Sequence, residues 1–519
     1  MKAHVKYISL LFLTLFTMVN GVEVHACTVL IAGKGTTADS SVYFGKTEDD
    51  SGHNIDYLWN FPGQDHPENA FLTGNLEGLE IPQANSTYQY LLDQCPPTSY
   101  SNMVVNEWGV AFGSNGCKSK EASLEELKKR GEIKDGGIGF MLRIILAQRA
   151  KTAREAVELA AKLIEKYGYR ASGRNLNIVG PEEAWQLQMV RGKHYVARRV
   201  RDDEVVIVSN TFSIREVDLE DKENFIASPD LIDYAIKQGW YNPGEDGDFD
   251  FAKAYADEEY HINNSNNHRQ WMLAKALDPS FQVSLQEAES GDLPVSFKPS
   301  EKLKIDDIIQ VLRDHYEGTQ LNPDESQVDN PHHLPHTICR NSTHKATIVQ
   351  QRSNMPPEIG TVIWRALGQP CQSIFVPWYL GTEDIPEEYA KKEYHRSGKI
   401  QTELIKDQST NASFLYYHFN FPMEKHDEID IKTASGAFTL LNKLSDANYK
   451  KSQPLIRERF DPMEEEMIQN QQQIEEEALR LYEKDKEEAI KHVTNYTHEQ
   501  ANTAYEEAVR LCSELLKLP

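Results

Sequence analysis

A cysteine at the start of a mature chain carries two reactive groups on one residue, a thiol and a free α-amine. Cys27 is placed to become such a residue. Ahead of it, Lys2 and Lys6 form a basic start and Ile8 to Met18 an apolar run. Val24-His25-Ala26 then fits the −3 and −1 positions of a leader cleaved after Ala26. The run falls short of the roughly 20 apolar residues that span a bilayer. Once released, an α-amine titrates at about 7.7–8.0 in water. It can take the thiol proton without help from a histidine, leaving a thiolate to attack an acyl carbon. The bond before Cys27 must be cut first, so signal peptidase would also be the activating enzyme. A rival chemistry uses the same position, because bacterial lipoproteins acylate the cysteine after their cleavage site. His25 sits where that signal wants a small residue.

The next reactive cluster is Lys46-Thr47-Glu48-Asp49. CTVLIAG and VYFGK are rich in β-formers and flank the turn-rich GKGTTADSS, so residues 27 to about 50 read as a hairpin. A hairpin returns its end to its beginning, which brings Asp49 and Lys46 back beside Cys27. Asp49 could then orient the α-amine, and Lys46 could lower the thiol pKa or hold a substrate carboxylate. The alternative is a solvated charge cluster at a strand end.

Further elements must frame that hairpin. Tyr88 to Leu92 and Met103 to Ser114 read as strands, the latter broken by a turn at Asn106-Glu107-Trp108-Gly109. Gly137 to Arg149 reads as a buried helix, and Thr152 to Tyr167 as one opened by a Thr152/Glu155 capping box. Strands return at Asn175–Val179, Ala184–Val190, His194–Val200 and Glu204–Ser209. This order predicts two sheets covered by helices. Residues 215 to 300 are polar and helical, with a helix at Arg269 to Ala276, and 345 to 380 is β-rich. From about 400 the chain is helical and charged. A long helix is expected to start at Asp461-Pro462, Asp as N-cap and Pro at N1. Its stripe of Met463, Met467, Ile474, Ala478 and Leu481 predicts packing on its own domain or a partner arm.

Several short motifs occur together in order: Cys27-Thr28, Gly45-Lys46-Thr47-Glu48-Asp49-Asp50, Asn106-Glu107-x-Gly109-Val110-Ala111 and Glu183-Ala184-Trp185. Val208-Ser209-Asn210, Arg269-x-Trp271 and the block from Gln350 to Tyr379, with Arg352, Trp364 and Pro377, follow. Over roughly residues 27–400 this resembles the dipeptidase A family of cysteine peptidases, relatives of the secernins. The resemblance implies an N-terminal nucleophile hydrolase with a four-layer αββα core at 27–400, after a leader at 1–26 and before an acidic helical region at 401–519. It implies Cys27 as nucleophile, Asp49 as the residue that positions its amine, Asn115 and Asn210 as oxyanion donors and Arg269 as the late active-site arginine. Lys46-Thr47 stands where the family has Arg-Asn, which keeps a charge but loses the bidentate fork. The implied activity is hydrolysis of dipeptides or small peptides. An acylase acting on N-acyl or bile-salt-like amides would use the same machinery, and a binding protein anchored through an acylated Cys27 is the rival of another class.

The 519 residues hold 55 Lys+Arg against 80 Asp+Glu, a net charge of -25. That balance repels nucleic acid and anionic membranes. No later segment is long enough to span a membrane, so a leader-less chain would be exported to a periplasm, an extracellular space or a lysosome-like lumen. A homo-oligomer is compatible with the sequence. Cys95, Cys117, Cys339 and Cys371 allow one or two disulfides in three pairings, while Cys512 reads as a buried small hydrophobe. His332, His333, His336 and Cys339 have metal-ligand chemistry, but with no second ligand cluster in the sequence no metal or cofactor is assigned. Sequons begin at Asn85, Asn263, Asn341, Asn411 and Asn495.

Overall fold

Hydrophobic alternation builds two sheets. In the computed structural model, which describes residues 27–49, 56–73, 79–94, 101–322, 328–390 and 429–518, Met103 and Val105 face one apolar layer and Val104 between them faces another. The expected leader, Cys95 and the boundary at 400 lie outside the described residues.

The strands that concern the site are β1 (Thr28–Ala32), β2 (Val42–Asp49), β3 (Tyr57–Phe61), β4 (Tyr90–Gln94), β5 (Ser101–Asn106), β6 (Ala111–Gly116), β7 (Tyr169–Val179), β8 (Ala184–Gly192), β9 (Tyr195–Val200), β10 (Val205–Val208), β11 (Phe225–Ala227), β12 (Ser296–Phe297), β13 (Thr343–Gln351), β14 (Thr361–Leu367) and β15 (Val376–Tyr379). The first sheet has seven strands in the order β12-β10-β1-β2-β13-β14-β15. The second has eight, in the order β11-β9-β8-β7-β6-β5-β4-β3. Every residue of β1 is buried, as expected of a strand covered on both faces.

Helices α1 (Met141–Arg149) and α2 (Ala153–Tyr167) cover the second sheet, packing Leu142, Ile145, Ala156 and Ile164 with Ile178 and Trp185. Helix α1 starts four residues later than Gly137, because Gly136 and Gly137 take φ of +81° and +75°, outside the right-handed helix. Thr152 caps α2 by accepting from the Glu155 N–H at 3.1 Å, while the Glu155 carboxylate reaches back to the N–H of Lys151. Helices α3 (Asn264–Leu277) and α4 (Ile305–Leu312) cover the first sheet, with Leu273 and Ile308 in its core. The layers run helix, sheet, sheet, helix, which is the αββα arrangement.

Three further helices, α5 (Ala434–Asp446), α6 (Tyr449–Tyr482) and α7 (Lys486–Leu515), pack on the β14–β15 end of the first sheet. The expected start at Asp461 is corrected: α6 begins at Tyr449 and carries Pro454 and Pro462 inside it. An interior proline forfeits a backbone hydrogen bond. Here burial of Ile456, Phe460 and Met467 offsets that loss. Two buried bidentate ion pairs, Arg313–Glu464 at 2.8 Å and Arg352–Glu475 at 2.5 Å, fasten α6 to the end of α4 and to the end of β13. The helix thus packs on its own domain. Among the described residues there is no disulfide; Cys117, Cys339 and Cys371 are buried free thiols, and so is Cys512. No described helix is long and apolar enough to cross a membrane.

Candidate active site

The antiparallel register of β1 and β2 sets Thr28 opposite Thr47 and Val29 opposite Lys46. One residue earlier, Cys27 therefore meets Glu48. Side chains alternate along a strand, so Lys46 and Glu48 share the face that receives the thiol. Cys27 Sγ donates to Glu48 Oε1 at 3.2 Å, and Lys46 Nζ pairs with the other oxygen of the same carboxylate. The stem of Lys46 runs past Gly113 of β6. A Cβ there would stand 2.7 Å from the Phe44 ring, so a larger residue would force that ring to shift.

The charges around the thiol follow from this burial. Desolvation pushes the Cys27 thiol up to about 12, Glu48 adding to the rise and Lys46 opposing it. Burial alone would also raise Glu48, but the Lys46 ammonium outweighs it and holds the carboxyl down at about 2. The resting group is a neutral thiol beside a carboxylate–ammonium pair. Deprotonating it takes a base in contact with the sulfur.

Asp49 closes the end of β2. Its Oδ1 accepts from Thr343 Oγ1 at 2.5 Å, and Arg340 Nε lies 3.8 Å from Oδ2. Burial raises its carboxyl above the ordinary value, against the pull of Arg340 and Thr343. Oδ2 is buried with no hydrogen-bond partner among the described residues.

Arg269, on α3, is fully buried and binds the start of β1. Its Nη1 donates to Cys27 O at 2.7 Å and Thr28 Oγ1 at 2.8 Å. Its Nη2 donates to Asn210 Oδ1 and Asn266 Oδ1 at 3.1 and 3.0 Å, and its Nε to Ser265 O at 2.6 Å. Burial lowers this guanidinium to about 10, which leaves it charged at neutral pH. Asn115 donates to Cys27 O at 3.1 Å and Val208 O at 3.3 Å, which uses both amide hydrogens. Asn210 donates to Gly116 O at 2.9 Å and keeps its second amide hydrogen.

All six residues expected from the sequence thus gather at the head of β1, around Cys27 and Thr28. Their arrangement sharpens two expectations. Asn115 holds the Cys27 carbonyl and has no hydrogen left for an oxyanion in this conformation. Lys46 has no exposed surface and pairs with Glu48, the thiol's acceptor, a geometry that suits charge compensation. Sequence reasoning missed Glu48, although its same-face spacing from Lys46 could have found it. It also missed Thr343 and Arg340, whose approach to Asp49 depends on β13 pairing with β2.

Peptidase family C69 matches residues 26–407, and the chain belongs to that family. It is a hydrolase of the peptidase class. A curated relative, "Probable dipeptidase B" of Streptococcus pyogenes serotype M1, is 29% identical over 371 residues, covering 69% of this chain and 72% of its own. "Probable dipeptidase" of Salmonella dublin is 27% identical over 366 residues, covering 69% and 82%. A solved conjugated bile acid hydrolase from Clostridium perfringens aligns over 69% of this chain and 93% of its own, at 9% identity and a TM-score of 0.35.

Proposed function

We propose that this peptidase is an exported dipeptidase whose nucleophile is Cys27, freed as the N-terminal residue by signal peptidase. The observation that carries the reading is the strand register that brings Cys27 at the head of β1 beside Asp49, whose Oδ2 accepts no hydrogen bond among the described residues. A freed α-amine on Cys27 would supply the donor that this oxygen lacks. The names of the curated relatives support dipeptides as the substrate class.

In this mechanism the α-amine takes the thiol proton, and the thiolate attacks the scissile carbonyl carbon. The ammonium then protonates the leaving amine as the C–N bond breaks, leaving a thioester. Water, deprotonated by the same amine, attacks the thioester and releases the acid and the thiol. Asp49 orients the amine, while Lys46 offsets part of the Glu48 charge that opposes thiolate formation. Asn210 directs its remaining amide hydrogen at the developing oxyanion. Arg269 and Asn115 hold the Cys27 carbonyl. An acyl-anchored Cys27 fits poorly with a residue only 3% exposed at the head of a central strand.

The deciding experiment profiles the chain beginning at Cys27 against dipeptides, longer peptides and N-acyl amides, with intact mass of the mature N-terminus. Dipeptides should have the highest kcat/KM and the terminus should carry no acyl chain. Preferential cleavage of N-acyl amides would move the enzyme to the acylase class.

Two variants probe the roles. Asn210→Ala should lower kcat by about 10²–10³ with little change in KM, since the lost donor acts mainly in the transition state. Wild-type kcat would remove Asn210 from the oxyanion site. For Asp49, the raised carboxyl means that protonation begins above the ordinary carboxylate range. As pH falls through that value the charge holding the amine is lost, so kcat/KM should fall with it. Protonation of the amine itself gives an acid limb at higher pH, so Asp49→Asn should be slow throughout and lose only the lower limb; an unchanged lower limb would assign it to another group.

A further inference from the structure

Away from the thiol of Cys27, four side chains from four stretches of chain converge on one point. They are His315 just after α4, His332 in the turn Pro331–His333, Cys339 ahead of β13, and Cys371 in the turn between β14 and β15. All four are buried, and one ligand atom from each lies within 4.8 Å of all the others. His332 Nε2 is 3.1 Å from Cys371 Sγ and 3.5 Å from Cys339 Sγ. A tetrahedral ion with bonds of about 2.3 Å to sulfur and 2.0–2.1 Å to nitrogen spaces its ligands by about 3.3–3.8 Å. The cluster is already near that spacing.

The surroundings are those of a ligand set. His332 Nδ1 lies 2.8 Å from Asp446 Oδ1, and His315 Nδ1 lies 2.8 Å from Glu317 Oε1. A carboxylate at Nδ1 fixes the tautomer and turns the Nε2 lone pair toward the cluster, the usual support for a metal-bound histidine. Buried His315 Nε2 finds no hydrogen bond of ordinary geometry. Asp446 is itself held by Asn330, Gln369 and Gln372 at 3.2, 3.1 and 2.9 Å. Tyr449 directs its hydroxyl at Cys371 Sγ from 3.7 Å. A cleft walled by Asp314, His315, Cys371, Tyr449 and Arg457 offers an ion a way in.

We propose that His315, His332, Cys339 and Cys371 bind one zinc ion as a closed structural site. Two thiols lose their protons to solvent and two neutral imidazoles bind through Nε2, so the two thiolates cancel the charge of the dication inside the fold. Two sulfurs and two nitrogens in tetrahedral array select zinc over magnesium or calcium, which take oxygen. With four protein ligands no position is left for a reacting water. The ion would tie α4, the loop before β13 and the β14–β15 turn together, with Asp446 and Tyr449 joining α5 and α6 to it. It would also hold the loop that presents Arg340 and Thr343 to Asp49, since Arg340 directly follows Cys339.

The test is metal content of the whole chain, independent of any substrate. Protein reduced, incubated with zinc and desalted should hold one equivalent by elemental mass spectrometry. Cobalt in its place should show thiolate-to-metal charge transfer and the strong visible bands of a tetrahedral site. Cys371→Ser should lose the metal, whereas Cys512→Ser should keep it. Should Cys371→Ser fail to fold, the zinc stoichiometry and cobalt spectrum of the unaltered chain decide the matter. Well under one equivalent after reconstitution, a Cys339–Cys371 disulfide that persists in the isolated protein, or zinc retained by folded Cys371→Ser would each overturn the site.

Discussion

A chain that keeps even one residue ahead of Cys27 is expected to hydrolyse dipeptides about 10⁴-fold or more slowly than one that begins there, the scale of losing an essential member of a nucleophile–base unit. In the extended chain the nitrogen of Cys27 belongs to a peptide bond and has no basic lone pair. Burial and Glu48 push the thiol up to about 12, so almost none of it is thiolate at neutral pH without that base. Cys27→Ala should fall to the same floor while leaving the denaturation midpoint nearly unchanged, because it removes only a sulfur hydrogen-bonded to Glu48. Iodoacetamide should inactivate the native enzyme by alkylating Cys27. Equal turnover by extended and processed chains would refute the α-amine as base, and surviving activity in Cys27→Ala would refute the nucleophile.

Arg269→Met is the second large effect, and it should appear in stability as well as in rate. Five acceptors converge on that guanidinium: Cys27 O, Thr28 Oγ1, Asn210 Oδ1, Asn266 Oδ1 and Ser265 O. Methionine fills much of the volume but satisfies none of them, and an unsatisfied buried polar group costs about 1–3 kcal/mol. Asn115 still reaches Cys27 O, so part of the loss is shared. A net destabilisation of about 3–5 kcal/mol is expected, measured by urea denaturation. The kcat should fall too, because the Cys27 backbone and the Asn210 amide both lose their orientation. A midpoint within error of wild type would mean that water or neighbouring side chains replace the arginine.

Much of this site is local, and that is why it was legible. The hairpin that carries Cys27, Lys46 and Asp49 is specified by two β-rich runs around one turn, so its pairing follows from short-range preferences. The helix that carries Arg269 and the strand that leads to Asn210 are likewise visible as patterns. Where local preference and global packing conflict, packing prevailed. Asp461-Pro462 has the residues of a helix start, yet burial of Phe460 and the Glu464–Arg313 pair run α6 straight through it.

By itself, then, the sequence determined the chemical inventory: one cysteine after a leader-like segment, the charges that return beside it, and the order of strands and helices. Only the tertiary structure decided which of those groups touch. Glu48 became the thiol's partner through strand register, and Asn115 became a holder of the Cys27 backbone because both its amide hydrogens met carbonyls. Of the histidine-rich loop, His332 and Cys339 joined His315 and Cys371, while His333 and His336 stayed outside the cluster. Side-chain types are written residue by residue, but contacts between distant segments arise when sheets and helices close around a shared apolar core, and no short window of sequence contains that closure.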